Sequence, residues 1–387
     1  MHAAPLRLLA LVSWVLSSAS AVVPHLHAQH SATPGRSAVV LLARGYAATD
    51  GYDMLIERTS AIARQHWASK YDHLIFHEGN LPPEHQVYVQ KRVELPLQFI
   101  SVNKSSLPAA ERAAAIISAG GTDKSQRYGC PLDVRTRHGE TLHWAPGYKA
   151  MCAFWYAGFA AYMRSYSFAL RIDDDCILDD DQPDPVLAMG HTAFASSEWG
   201  VCDSAYVTQG MAAFFNGLST DHLGGAARFE LGANGEVCWA NPYTNVMLVR
   251  LSFVHDMRWA IDAVAESECI LSNRWGDLPL WGGTIELAQS KSAHRINMTL
   301  PLNYWHGSHN SYIDPRGMGA LGCARSHGLK CFARYFCPKC GKRTSTAITT
   351  VFSVLLVGLP LGLCFALVTL IWRRGCLHRF EPIPMSA

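Results

Sequence analysis

The stretch SFALRIDDDCILDDD, residues 167–181, places six aspartates in nine positions directly behind an apolar run. Two like charges ~4 Å apart repel by about 4 kcal/mol at an effective dielectric near 20. A chain tolerates such a run when water solvates every carboxylate, or when a cation neutralises them. SFALRI reads as a strand, so the run falls at a strand's carboxyl end. Open α/β sheets bind their ligands there, which favours a cation site over a solvated loop.

The residues before this stretch support such a sheet. VVLLA (39–43) is a short continuous apolar run of the kind a buried parallel strand needs. HLIF (73–76) and LQFISV (97–102) read as the next strands. Between them, residues 50–67 carry Met54, Leu55, Ala61 and Ile62 at helical spacing, and PPEHQVYVQKR (82–92) starts a helix with prolines. YKAMCAFWYAGFAAYMRSY (148–166) is apolar almost all round and predicts a buried helix. The alternation predicts an α/β fold with a mostly parallel, doubly wound sheet. The second half is irregular, rich in glycine and aromatic residues, with a helix expected over 253–267 and a turn leading into another helix within 275–291.

Both ends read differently from this body. Arg7 precedes LLALVSWVL and then Ala19-Ser20-Ala21, the pattern of a secretory signal peptide over 1–21, with an uncleaved anchor as the alternative. Residues 348–372 hold 25 uncharged residues, enough to cross ~30 Å of hydrocarbon, and predict a C-terminal transmembrane helix. Arg373, Arg374 and Arg379 follow it, while Lys339, Lys342 and Arg343 precede it, so the charge rule is mixed and the signal peptide sets the orientation. The expectation is a luminal domain over 22–340, a cytosolic tail over 373–387 and a single-pass protein of the Golgi or endoplasmic reticulum membrane. Twelve cysteines and the sequons at Asn103 and Asn297 agree with a lumen. Cys323, Cys331, Cys337 and Cys340 surround His327 and read as disulfides or a zinc knuckle. With 33 basic and 31 acidic residues the net charge is +2, which argues against nucleic acid as a partner.

Hard cations such as Mn²⁺ and Mg²⁺ prefer carboxylate oxygens. Asp173 and Asp175, two apart, can share one ion, and that ion can stabilise a diphosphate leaving group. Asp179, Asp180 and Asp181 precede Gln-Pro-Asp-Pro and read as a solvated lead into a helix.

Several blocks in order resemble one family. MCAFWYAGF (151–159) followed by SFALRIDDDCIL is similar to the Met-Cys-Arg-Phe … Tyr-Trp-Arg-Val-Glu-Pro-Asp segment of the fungal Golgi α-1,2-mannosyltransferases. Residues 37–76 resemble that family's opening strand, helix and strand. NRWGDLPL (273–280) resembles its Glu-Arg-Trp-Gly-Asp-Ala-Pro block, and LPLNYWHGSHN (300–310) its Ile-Gly-Tyr-Phe-His-Val-Pro block. The resemblance covers about residues 37–310. It implies a GT-A type fold, GDP-mannose as donor, Mn²⁺ and retention of configuration. It places Asp173 and His306 on the metal, and Asp175 and Arg44 beside the nucleotide. Two features depart from the family. The membrane anchor is C-terminal, and Tyr-Thr-Asn-Val-Met-Leu (243–248) puts Met247 where the family has the glutamate proposed as nucleophile. Asp277 is the remaining carboxylate for a catalytic role, unless Trp-Gly-Asp only forms a turn.

The expectation is a metal-dependent glycosyltransferase that moves mannose or a related hexose from a nucleotide sugar to a glycan or glycoprotein acceptor. The alternatives are a catalytically silent glycan-binding scaffold, motivated by Met247, and a metal-dependent hydrolase, motivated by the aspartates alone.

Overall fold

Strand β1 (Ser37–Ala43) is buried along nearly its whole length and lies near the centre of a seven-stranded sheet. The computed structural model describes residues 35–317, apart from 131, 133–134, 138–139 and 310. The expected signal peptide, the cysteine-rich end, the 348–372 span and the tail lie outside the described residues. Among the described residues, no helix is long and apolar enough to cross a membrane.

The chain runs from β1 through α1 (Asp53–Ala63), β2 (Asp72–His77), α2 (Pro83–Gln90) and β3 (Leu97–Ser101). Helices α3 (Asn103–Ala119) and α4 (Asp123–Arg127) follow, then a hairpin of β4 (Arg135–Arg137) and β5 (Glu140–Leu142). Helix α5 (Pro146–Ala153) continues through a π turn and a 3₁₀ turn to Tyr162. Strands β6 (Phe168–Ile172) and β7 (Cys176–Leu178) flank the first three aspartates. Next come α6 (Pro185–Met189), β8 (Phe194–Ser196), α7 (Ala205–Thr208), α8 (Met211–Leu223) and β9 (Val246–Arg250). The last elements are α9 (Leu251–Asp256), α10 (Arg258–Glu266), α11 (Cys269–Asn273), α12 (Asp277–Gln289), β10 (Asn297–Thr299), β11 (Tyr304–His306) and β12 (Ser311–Ile313).

The main sheet has the order β10-β8-β9-β6-β1-β2-β3. Its pairings are parallel except at β9, which runs antiparallel to both β6 and β8. The expected mostly parallel α/β sheet is therefore present, with one reversed strand beside the central one. Alternation along β6 and β9 divides the core. Ala169, Met247 and Val249 face one apolar cluster with the aromatic residues of 154–159 and helices α8 to α12. Leu170, Ile172, Val246 and Leu248 face the other, against Ile62, Trp67 and Tyr304. A second sheet, β12-β11-β7, is antiparallel and lies where the chain leaves β6.

Three expectations need correction. The helix over 253–267 is two helices, broken at Met257, whose φ and ψ of −93° and 9° leave the α region. The second half is more regular than its composition suggests, since it supplies α8 and β9. Asp179 is not solvated: it is buried beneath Tyr312, whose hydroxyl donates to its carboxylate. Of the other two aspartates, Asp180 pairs with Arg64 at the surface and Asp181 takes a left-handed turn at φ 53°, which aspartate tolerates. Helix α6 then starts on an Asp184 cap, whose side chain accepts from the Val186 and Leu187 amides.

Candidate functional site

The end of β6 holds two separate charge systems. In the first, Arg171 donates from Nε and Nη2 to both oxygens of Asp173, at 2.7 and 2.9 Å, and from Nη1 to Asp277 at 2.6 Å. Side chains two apart on a strand share a face, so Arg171 and Asp173 meet by construction. Asp277 arrives from the first turn of α12, where an acidic group suits the helix dipole. The guanidinium lies 4.4 Å above the Trp155 ring and is almost fully enclosed. Burial would lower its pKa, but the Asp173 and Asp277 carboxylates raise it above the arginine norm.

The second system joins Asp175 to His306. Strand β11 pairs antiparallel with β7, which sets His306 opposite Cys176. His306 Nε2 lies 3.4 Å from Asp175 Oδ2, and the Ser308 amide donates to the same oxygen at 2.9 Å. Burial would raise the Asp175 carboxyl, but the hydrogen bonds from His306 and Ser308 hold it well below the usual range. Behind the ring, Nδ1 meets Tyr243 Oη at 2.9 Å and Asn245 Nδ2 at 3.0 Å. Tyr304 Oη donates to Asn245 Oδ1 and fixes that amide. With Asn245 Oδ1 taken by Tyr304, Nδ2 donates to Nδ1, so Nε2 carries the proton toward Asp175, and that proton must leave before Nε2 can ligate an ion. The ligand atoms of Asp175, Cys176 and His306 lie within 4.8 Å of one another. A carboxylate, an imidazole and a thiol at that separation fit a divalent cation.

Asp174 stands between the two systems. Burial, followed by its neighbours Asp173 and Asp175, pushes its carboxyl up to about 6. Arg44, at the exposed end of β1, and the buried Arg58 both act on it in the opposite sense. Arg58 itself donates to the Ile172 carbonyl at 2.8 Å and is lowered to about 10 by burial.

The structure thus brings Asp175 and His306 together and ties Asp173 and Asp277 to Arg171. Arg44 is near enough to act on the Asp174 carboxyl. Met247 is buried in the core, in register with Arg171. Sequence reasoning missed Arg171, Tyr243, Asn245 and Cys176. It also missed Glu198, whose carboxyl is pushed up by partial burial while His306 acts in the opposite sense. Strand periodicity alone would have found Arg171.

No protein-family model matches the sequence, and no curated protein matches it. Solved structures do resemble the fold. Core-mannan synthase A (CmsA/Ktr4) from Aspergillus fumigatus, in its Mn/GDP form, is similar at a TM-score of 0.50 and 14% identity, covering 74% of this chain and 78% of that one. The mannosyltransferase Ktr4p from S. cerevisiae is similar at 0.49 and 11%, covering 65% and 66%. Mouse xyloside xylosyltransferase 1 follows at 0.36 and 8%, covering 69% and 84%. The first of these has a similar fold over most of its length, in line with the α/β architecture expected from the sequence.

Proposed function

We propose that this protein is a metal-dependent glycosyltransferase that moves mannose or a related hexose from a nucleotide sugar, GDP-mannose first among them, to a hydroxyl of a glycan or glycoprotein. The observation that carries the reading is the Asp175–His306 pair at the carboxyl end of the central strand, on a fold similar to that of a core-mannan synthase solved in its Mn/GDP form. Asp175 and His306 would hold Mn²⁺, with Mg²⁺ as a weaker substitute. When bound, that ion supplies Lewis-acid stabilisation of the departing nucleoside diphosphate.

The chain's own residues do the rest. Tyr243 and Asn245 orient the imidazole, and Arg171 holds Asp173 and Asp277 as one rigid unit beneath the site. Arg44 offers an exposed cation for phosphate. Because Met247 supplies no carboxylate, retention of configuration would rest on front-face attack, driven by positioning and leaving-group stabilisation. The uncharged span at 348–372 and the short apolar N-terminus support a luminal body on a single anchor in the Golgi or endoplasmic reticulum membrane.

Met247 also favours a second reading, a silent glycan-binding protein on the same fold. The deciding experiment measures donor hydrolysis and transfer by the purified chain over a panel of nucleotide sugars, with and without Mn²⁺. Mn²⁺-dependent turnover that disappears in Asp175→Ala is the expected result. Nucleotide binding without turnover on any donor would establish the silent reading.

A further inference from the structure

The free thiol of Cys176 has no role in the scheme above, yet it sits inside the metal cluster. Cys176 and His306 are direct cross-strand partners in the β7–β11 ladder, so their side chains leave the same face of the small sheet. The thiol lies 3.9 Å from Asp175 Oδ1, and the other oxygen of that carboxylate lies 3.4 Å from His306 Nε2. Ligands around a tetrahedral zinc ion, with Zn–N ~2.0 Å and Zn–S ~2.3 Å, sit ~3.5 Å apart. These two contacts use different oxygens of the carboxylate; taken as one ligand atom from each residue, the three lie within 4.8 Å of one another. A contraction closes the triangle.

We infer that Cys176 is a third protein ligand of this centre, so that the ion held most tightly is a borderline-soft divalent cation such as Zn²⁺ rather than a hard one such as Mg²⁺. Thiolate selects soft and borderline ions, and imidazole suits both classes. The thiol proton passes to solvent as the ion binds, which conserves charge and mass. This deepens the metal assignment of the proposed function, yet it is read without any sugar nucleotide, so the two can fail separately.

The test uses the full chain with Cys323, Cys331, Cys337, Cys340, Cys364 and Cys376 changed to serine, which removes the C-terminal thiols. Titration with Cd²⁺ should produce an ultraviolet thiolate-to-metal charge-transfer band of one equivalent. The band should vanish on adding Cys176→Ser and persist on adding Cys152→Ser, the other buried free thiol. Zn²⁺ affinity should fall tenfold or more in Cys176→Ser, since even an outer partner of a metal ligand is worth 10–100-fold. X-ray absorption at the zinc edge, in the background chain with Cys176 intact, should show one sulfur at ~2.3 Å. That measurement decides the matter if Cys176→Ser does not fold. A shell of nitrogen and oxygen alone, or a band that survives Cys176→Ser, would overturn the inference. A sulfur shell in a chain that turns over no donor would leave it standing while the transferase reading fell.

Discussion

Replacing Arg171 with methionine removes the guanidinium that serves both Asp173 and Asp277. Three charge-assisted bonds are lost, at 2.6, 2.7 and 2.9 Å. The Asp277 side chain is 9% exposed and Asp173 26% exposed, so water recovers little of the first and part of the second. Removing one partner from a buried pair costs about 3–5 kcal/mol, and the stacking on Trp155 adds roughly 1 kcal/mol. The expected loss is about 4 kcal/mol, a large share of the 5–15 kcal/mol typical of a folded domain. Arg171→Lys keeps the charge but cannot fork to two carboxylates, so about 2 kcal/mol should still be lost. In Arg171→Met/Asp277→Leu the more enclosed carboxylate is gone as well. The double variant should therefore be more stable than Arg171→Met alone, with a coupling of about 2 kcal/mol between the two sites. Urea unfolding followed by tryptophan fluorescence at pH 7 measures the wild type, Arg171→Met, Asp277→Leu, the double variant and Arg171→Lys. A loss under about 1 kcal/mol in Arg171→Met, or strict additivity in the double variant, would show that the pair is not the buried unit described here.

Asp175→Ala and His306→Ala should each weaken Mn²⁺-dependent nucleotide binding at least tenfold; calorimetry with GDP and Mn²⁺ reads this, and unchanged affinity in both would remove the metal from this place. Asp173→Ala should act first on stability, because both of its oxygens already accept from Arg171. His73 is fully buried and burial lowers its imidazole to about 4, so the unfolded chain binds more protons between pH ~4 and ~6.5. Stability should then fall by up to about 3 kcal/mol as pH drops through that window, and His73→Gln should flatten the slope in denaturant titrations at successive pH values. A methyl group at Gly282 in α12 would stand 2.0 Å from Asn241 Oδ1, so Gly282→Ala should cost about 2 kcal/mol and lower Tm by ~6 °C in calorimetry.

The strands were legible because β1, β2 and β6 are buried on both faces, and a continuous apolar run admits few other structures. The direction of β9 was not. Its sequence, VMLVR, reads the same whichever way its neighbours point, and the antiparallel pairing is decided by the long connection after β8. The break at Met257 was also hidden, since the apolar spacing of 253–267 is satisfied by one helix or two. Within the site, the position of the aspartates at a strand's end was readable from local pattern. Their division of labour was not fully drawn, although strand periodicity puts Arg171 beside Asp173. The meeting of Asp175 with His306 depends on a strand pairing between segments far apart, which no spacing rule encodes; the resemblance to a family supplied His306.

That long-range pairing bears on how the molecule matures. Ser308 and Asp175 are 133 residues apart in the chain, and the β7–β11 ladder joins their segments across β9 and α12. Contacts of such separation come late, because the loop they close must lose its freedom first. The Asp175–His306 pair therefore does not exist in a nascent chain that has built only the first half of the sheet. A ligand that binds only the finished state adds its binding energy to that state alone. If the proposed ion binds there, its uptake would favour molecules whose last strands have docked over those still incomplete.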